Sequence, residues 1–154
     1  MSIDAKVAAL KLELPPAPKP GGTYSPVVIV GNICYVSGHG PLRPDGTMIT
    51  GQVGAELTEE EGNLAARQVG LAILATLKSQ LGSLDRIERF VKTLGMVYAV
   101  PEFKRHPAVI NGFSDLMVEL WGENGKAARS AVGMGSLPNN IAVEIECIVQ
   151  LKDG

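Results

Sequence analysis

The chain has 154 residues, and its 14 Lys and Arg against 16 Asp and Glu give a formal net charge of −2. This length predicts a single domain with a core large enough to need neither a disulfide nor a metal. The slight acidic balance argues against a binder of nucleic acid or anionic membranes, since such proteins usually carry a basic surface. The 18 glycines and the 5% aromatic content favour a site built from turns and main-chain groups.

The two cysteines, Cys34 and Cys147, each lie inside an apolar run, as buried thiols in a reducing compartment do. Their spacing matches no zinc motif, and His39 and His106 are the only histidines, so we expect no metal site. Charged residues interrupt residues 1–14, which excludes a secretory signal, and no apolar stretch is long enough to cross a bilayer. These features predict a cytoplasmic protein that does not enter a membrane.

The N-terminal segment is predicted to be a short amphipathic helix capped by Ser2, followed by an extended stretch rich in proline. Prolines fix φ and remove backbone donors, so the helix cannot continue through this stretch. We interpret residues 1–22 as an arm and residues 23–152 as one domain.

A hairpin and a glycine-rich loop come next along the chain. The β-branched runs at 27–30 and 33–37 are separated by Gly31-Asn32, which is a turn signal between two strands. The loop from Gly38 to Gly54 carries five glycines in seventeen residues. The sequence alone assigns no role to this loop.

Two helices and three more strands follow. Thr58 and Glu61 form a capping box that starts a helix running to about Leu81, where Gly82 ends it. The later elements are a strand at about 87–98, a helix from Pro107 to Gly122, and strands at about 128–134 and 141–151. The order ββαβαββ predicts an α+β fold with two helices on one face of a mixed sheet.

Arg129 lies inside one of these apolar strands, where an arginine is costly unless a carboxylate pairs with it. If the last two strands form a hairpin that turns at Ser136-Leu137, the register places Arg129 opposite Glu144. Such a pair is either a structural cross-strand salt bridge or part of a binding site. Gly133 and Gly135 would leave room for a small ligand near the backbone.

Four other polar residues are candidates, and each has an alternative explanation. Tyr24 and Ser37 lie at strand ends, where they serve either a site or ordinary turn chemistry. His39 is either a general base or a structural group with satisfied hydrogen bonds. Asn111 lies inside the second predicted helix, where its amide either points at a site or faces water.

Three segments near the C-terminus resemble the RidA/YjgF family of reactive-intermediate deaminases, also called the endoribonuclease L-PSP family. They are Arg-Ser-Ala-Val at 129–132, Ser-Leu-Pro at 136–138 and Val-Glu-Ile-Glu at 143–146. Tyr24, Val36-Ser37-Gly38 and Val109-Ile110-Asn111 extend the resemblance over about residues 22–151.

The resemblance implies a chorismate-mutase-like homotrimer with clefts between subunits. It also implies hydrolysis of small 2-imino acids to 2-keto acids and ammonia, without metal or organic cofactor. In that scheme Arg129 clamps the substrate carboxylate and Glu144 positions or activates water. The substrate-binding residues it implies are Tyr24, Ser37, Asn111 and the backbone near Ala131.

The sequence departs from better-known members of the family, which often have cysteine at the position of Ala131 and an amide at that of His39. Two alternative functions therefore stay open, a non-catalytic binder of small carboxylates and an RNA-cleaving translation inhibitor. The acidic charge and the few aromatic residues argue against the second. We also expect a homo-oligomer, because Ala142 and Ile148 would otherwise expose apolar area on the last strand.

Overall fold

The computed structural model describes residues 1–153 and contains every helix and strand that the sequence predicts. The helices are α1 (Ile3–Ala9), α2 (Glu59–Leu81) and α3 (His106–Trp121). The strands are β1 (Val27–Val30), β2 (Ile33–His39), β3 (Ile87–Tyr98), β4 (Ala128–Met134) and β5 (Val143–Leu151). No helix within residues 1–153 is long and apolar enough to cross a membrane.

The five strands form one mixed sheet in the order β1-β2-β5-β3-β4, which confirms the predicted α+β architecture with a mixed sheet. The strands β3 and β4 are parallel, and the other neighbours are antiparallel. The expected hairpin between the last two strands is wrong, because β3 lies between β4 and β5. The helix α3 supplies the long crossover that a parallel pair requires, and the chain after β4 then returns to insert β5 beside β2.

Two local signals in the sequence set the ends of α2. The Thr58 hydroxyl accepts the Glu61 backbone N–H, and the Glu61 carboxylate reaches back to the Thr58 N–H, which completes the capping box. At the other end, Gly82 has a positive φ of 83°, a conformation that glycine adopts without strain. The predicted limits of this helix are confirmed.

The two long helices pack closely on one face of the sheet because glycines lie between them. A β-carbon at Gly112 would overlap the backbone carbonyl of Asn63, and one at Gly70 would press on Leu116. On the sheet side, Phe90 of β3 meets the rings of Phe113 and Trp121 edge to face. This packing buries a continuous apolar core.

The N-terminal helix is packed against the rest of the molecule. Val7 is buried in the core cluster, the Ile3 N–H donates to the Asp85 carboxylate, and the Lys6 ammonium donates to the carbonyl of Leu120. The segment between α1 and β1 contains no helix or strand, so the first helix ends before the prolines as predicted. The division of the chain at residue 22 stays a prediction.

The sheet face opposite the helices is uncovered in the single chain and is largely apolar. Register places the following side chains on this open face: Val28, Tyr35, Lys92, Leu94, Met96, Ser130, Val132, Glu144, Glu146 and Ile148. Ala142 is fully buried, so its expected exposure is wrong: it lies before β5, where its backbone bonds to Ile49 and Tyr98.

Candidate functional site

A cavity lies beside the first residues of β5 and the end of β2, and we call it the Glu144 pocket. It has a volume of about 630 Å³, within the range that small-molecule sites occupy. Its walls are formed by the N-terminal arm, β2, the glycine-rich loop and β5. Its lining residues include Pro18, Tyr24, Ser37, His39, Met48 and Glu144.

Glu144 reaches this pocket across the backbone of β2. A β-carbon at Gly38 would overlap the Oε2 atom of Glu144, so only glycine lets the carboxylate occupy this position. Partial burial raises the pKa of Glu144 above that of an ordinary glutamate, and the neighbouring charge of Glu146 raises it further. The result is a carboxylate of increased basicity facing a cavity.

The structure brings Ser37 and Tyr24 to the same pocket as Glu144. The Ser37 hydroxyl donates to the carbonyl of Ser25 at 2.6 Å, and the Tyr24 hydroxyl accepts the Gly21 N–H at 3.1 Å. Both side chains thus make the local contacts that turn chemistry predicts, and both also line the cavity. Their role in substrate binding stays a prediction.

His39 also lines the pocket, but both of its ring nitrogens are engaged. Its Nδ1–H donates to the carbonyl of Ser37 at 2.6 Å, and its Nε2 accepts the hydroxyl of Thr76 on α2 at 2.8 Å. Burial lowers the pKa of His39 below the usual value of 6.5, so the ring is neutral at neutral pH. The histidine holds the irregular stretch of β2 that carries Ser37 and Gly38, in agreement with the structural explanation.

Arg129 belongs to a second group of polar side chains, which we call the Arg129 cluster. Its guanidinium donates to Oδ1 of Asn111 at 2.7 Å and to the Ser114 hydroxyl at 3.1 Å, both on α3. No carboxylate of residues 1–153 lies within 4.0 Å of this guanidinium. The remaining donors are therefore suited to an anion from elsewhere.

Ala131 follows two residues after Arg129 on the same face of β4, opposite Gly95. Ser114 was not among the residues predicted from the sequence, although it lies three residues after Asn111 and hence on the same side of α3. That spacing could have indicated it. The arm residues at 18–21 were likewise not identified as pocket residues, because nothing local to them shows which strand they cover.

The two groups of residues are not adjacent in the chain's fold. Arg129 pairs with Thr93 of β3 and faces the helices, whereas Glu144 pairs with Met96 of β3 and faces the open side of the sheet. The expected register that sets Arg129 opposite Glu144 is therefore wrong, and the two residues form no salt bridge within one chain. Each group contains part of the single site that the sequence predicts.

No group of three or more His, Cys, Asp or Glu side chains in residues 1–153 is arranged to hold a metal ion. The two cysteines do not add a reactive group to either the Glu144 pocket or the Arg129 cluster. Cys34 and Cys147 are both buried, and burial raises the pKa of both thiols. A protonated, inaccessible thiol is a poor nucleophile.

Comparison with known proteins supports the resemblance noted in the sequence. Residues 4–151 match the family described as "YjgF/chorismate_mutase-like, putative endoribonuclease". The chain is 39% identical to Protein TCP17 of Trypanosoma cruzi over 98% of its length and 95% of that protein. It is 30% identical to a 2-iminobutanoate/2-iminopropanoate deaminase of Dermatophagoides farinae, covering 92% of this chain and 95% of that one.

A solved structure is similar over nearly the whole fold. It is the crystal structure of an Agrobacterium tumefaciens protein described as having unknown function. The sequences are 40% identical, the alignment covers 97% of this chain and 91% of that one, and the TM-score is 0.87.

Proposed function

The chain belongs to the RidA/YjgF family, and on that premise we propose that it hydrolyses small reactive 2-imino acids to 2-keto acids and ammonia. The proposal depends most on one observation, the partly buried Glu144 carboxylate held over Gly38 in a cavity. The similarity to an iminobutanoate and iminopropanoate deaminase supports the substrate class.

The reaction needs one water molecule and no oxidant or reductant. The water oxygen forms a bond to the C=N carbon while its proton passes to the carboxylate of Glu144. Glu144 then returns this proton to the nitrogen, and the hydroxyl proton of the resulting carbinolamine also passes to the nitrogen by way of the carboxylate. The C–N bond breaks, ammonia leaves and the carbonyl forms, with the carboxylate of Glu144 regenerated. A carboxylate of raised pKa accepts a proton more readily than an ordinary one, which suits Glu144 to this role.

Arg129 would bind the carboxylate of the substrate. A guanidinium can hold a carboxylate through two parallel hydrogen bonds, and here Asn111 and Ser114 orient it with neutral oxygens only. In this scheme the backbone near Ala131 lies beside the bound carboxylate, while Tyr24 and Ser37 shape the other side of the pocket. Arg129 would hold the C=N carbon of the substrate close to the water molecule that Glu144 activates, and this positioning would supply the rate enhancement.

A second copy of the chain is needed to bring the two halves together, and we infer a homotrimer with clefts between subunits. Arg129 and Glu144 lie on opposite faces of the sheet with β3 between their strands. The open face, with Tyr35, Leu94 and Ile148, is apolar enough to favour association. In the assembly, Glu144 of one subunit would face Arg129 of its neighbour.

Ammonia release from freshly generated 2-iminopropanoate tests the activity. Wild-type protein should accelerate it, and Arg129→Ala and Glu144→Gln should each lower kcat/KM by about 100-fold or more. Trimers assembled from a mixture of the two inactive variants should recover about a quarter of the wild-type activity, since one site in each mixed trimer is intact. No recovery in mixed trimers would contradict a shared site.

The Arg129 cluster also favours a second candidate, a non-catalytic binder of small carboxylates, because it is complete without Glu144. Binding of 2-keto acids by a protein that turns over no imine would favour this candidate. RNA cleavage that survives removal of contaminating nucleases and disappears in Arg129→Ala would instead favour the endoribonuclease named in the family description.

A further inference from the structure

The imidazole of His106 lies on the same side of β4 as Arg129, and the proposed function gives it no role. Alternate residues of a strand share a face, so Arg129, Ala131 and Gly133 form a row on the helix-facing side of β4. A β-carbon at Gly133 would lie 2.5 Å from Nε2 of His106. Glycine at this position therefore lets the imidazole lie against the end of the row.

The ring of His106 is packed by its neighbours, but its nitrogens are not engaged. Phe103 packs against the ring edge to face, with the ring centroids 5.2 Å apart. Among residues 1–153, His39 is the histidine whose ring nitrogens form hydrogen bonds, and neither nitrogen of His106 does. An imidazole has at least one N–H donor in each of its protonation states, so His106 has a donor to offer a ligand.

The row along β4 is accessible to a small molecule. β4 is an edge strand of the sheet, Gly133 is exposed, and Arg129, Ala131 and His106 are half-buried. The two residues that follow Arg129 in the row have side chains no larger than a methyl group, which lets a ligand approach the backbone closely. A molecule that lies on this row contacts Arg129 at one end and His106 at the other.

The proposed reaction decides which part of a substrate is directed toward His106. Arg129 holds the substrate carboxylate beside Ala131, and the imine nitrogen must face Glu144, which returns the proton to it. The remaining substituent of the imine carbon, the side chain, is then directed along β4 toward Gly133. Alternate residues of a strand are about 6.6 Å apart, so a side chain of a few atoms is long enough to reach the imidazole.

From this placement we infer that His106 determines substrate specificity by donating a hydrogen bond to the side chain of the bound imino acid. The substrates that this contact favours are 2-imino acids whose side chain ends in an amide, of the kind formed by oxidation of asparagine or glutamine. The amide oxygen accepts the imidazole N–H. This inference rests on the proposed function, because it takes Arg129 as the group that binds the carboxylate.

Hydrogen bonding and charge both favour an amide at this position. An apolar side chain of the same size would cover the imidazole N–H without accepting it, and a polar group that loses water without gaining a partner weakens binding. A second carboxylate would accept the N–H, but in the proposed cleft it would meet the negative charges of Glu144 and Glu146, which line the same pocket. The contact therefore distinguishes amides from both apolar and acidic side chains.

The test compares kcat/KM for imines generated from asparagine and from leucine by an amino-acid oxidase in the presence of catalase. The two side chains have nearly the same shape and differ in the polarity of their ends. In His106→Leu we expect kcat/KM for the asparagine-derived imine to fall about tenfold, and that for the leucine-derived imine to stay within twofold. His106→Gln keeps an N–H donor and should lose less. Gln80→Leu, at an exposed position of α2, is the control and should change neither value.

Gly133→Ala tests the same contact from the strand. The added methyl group would crowd Nε2 of His106 and turn the imidazole away, so the ratio of the two kcat/KM values should fall as it does in His106→Leu. Both substrates are measured on the same preparation of each variant. A general loss of active protein therefore cancels in the ratio, whereas the loss of a side-chain contact does not.

The outcomes separate the two proposals. An asparagine-to-leucine ratio that stays unchanged in either variant would overturn the role of His106 and leave imine hydrolysis standing. If wild-type protein turns over no imine, the proposed reaction fails, and titration with 2-oxosuccinamate and 4-methyl-2-oxopentanoate decides the role of His106. Weaker binding of 2-oxosuccinamate alone in His106→Leu would uphold the contact, and an unchanged ratio of the two dissociation constants would overturn it.

Discussion

The Glu144 pocket and the Arg129 cluster differ in how the fold holds their charged groups. Glu144 is partly buried beside a second glutamate, and both burial and that charge raise its pKa. Arg129 lies on the edge strand β4, where its neighbours are the neutral oxygens of Asn111 and Ser114. The first environment favours accepting a proton, and the second favours binding an anion.

Their separation has a chemical consequence. If Arg129 were paired with Glu144 in one chain, each charge would neutralise the other and the pKa of the carboxylate would fall. Within one chain the intervening strand β3 keeps them apart, so burial and Glu146 set the pKa of Glu144 and the guanidinium keeps donors for a ligand. In the proposed trimer each site would therefore draw on two subunits, and each of the following variants changes one of the two groups.

The largest effect is expected from Gly38→Ala in the Glu144 pocket. The new methyl group would occupy the position of the Glu144 carboxylate, and the flexible glutamate would turn away with little loss of stability. We expect kcat/KM to fall by about 100-fold while the melting temperature changes little. Ser79→Ala, at an exposed position of α2 outside the pocket, is the control; an equal loss in both variants would contradict the geometry.

A smaller effect is expected from Asn111→Ala in the Arg129 cluster. Loss of the 2.7 Å hydrogen bond frees the guanidinium to sample orientations that do not bind a carboxylate. We expect KM to rise about tenfold with kcat nearly unchanged, measured in the same ammonia-release assay. Asn124→Ala removes a side-chain bond to the backbone of Glu88 instead and should leave KM unchanged. A fall in kcat with no change in KM would mean that Asn111 does not help Arg129 to bind the substrate carboxylate.

The smallest effect, a shift in pH dependence, is expected from Glu146→Gln. A glutamate that acts as a base must be ionised, so activity falls as the pH drops through the pKa of Glu144. Removing the negative charge of Glu146 lowers that pKa, and the acid limb of kcat/KM should therefore move to lower pH. Asn111→Ala provides the comparison and should leave the limb in place. If the acid limb of kcat/KM stays at the same pH in Glu146→Gln, a group other than Glu144 determines that limb.

Local patterns in the sequence were sufficient to predict the helices and strands. The capping box at Thr58, the turn at Gly31-Asn32 and the alternation along β5 depend on neighbours a few residues apart, and their predictions are confirmed. The motifs around Arg129 and Glu144 indicated the family from residue identity alone. Their catalytic roles remain predictions.

The arrangement of those pieces depends on contacts between distant parts of the chain. The sequences of β4 and β5 are compatible with pairing to several partners. The packing of α3 and the burial of β5 between β2 and β3 keep these two strands apart. This strand order removes the expected contact between Arg129 and Glu144. Contacts between distant segments also bring the arm to the wall of the Glu144 pocket. Sequence by itself determined which residues are chemically suited to the site, because propensity and side-chain chemistry are local properties. Only the tertiary structure decided which of them meet, because strand order is set by the burial of the whole core.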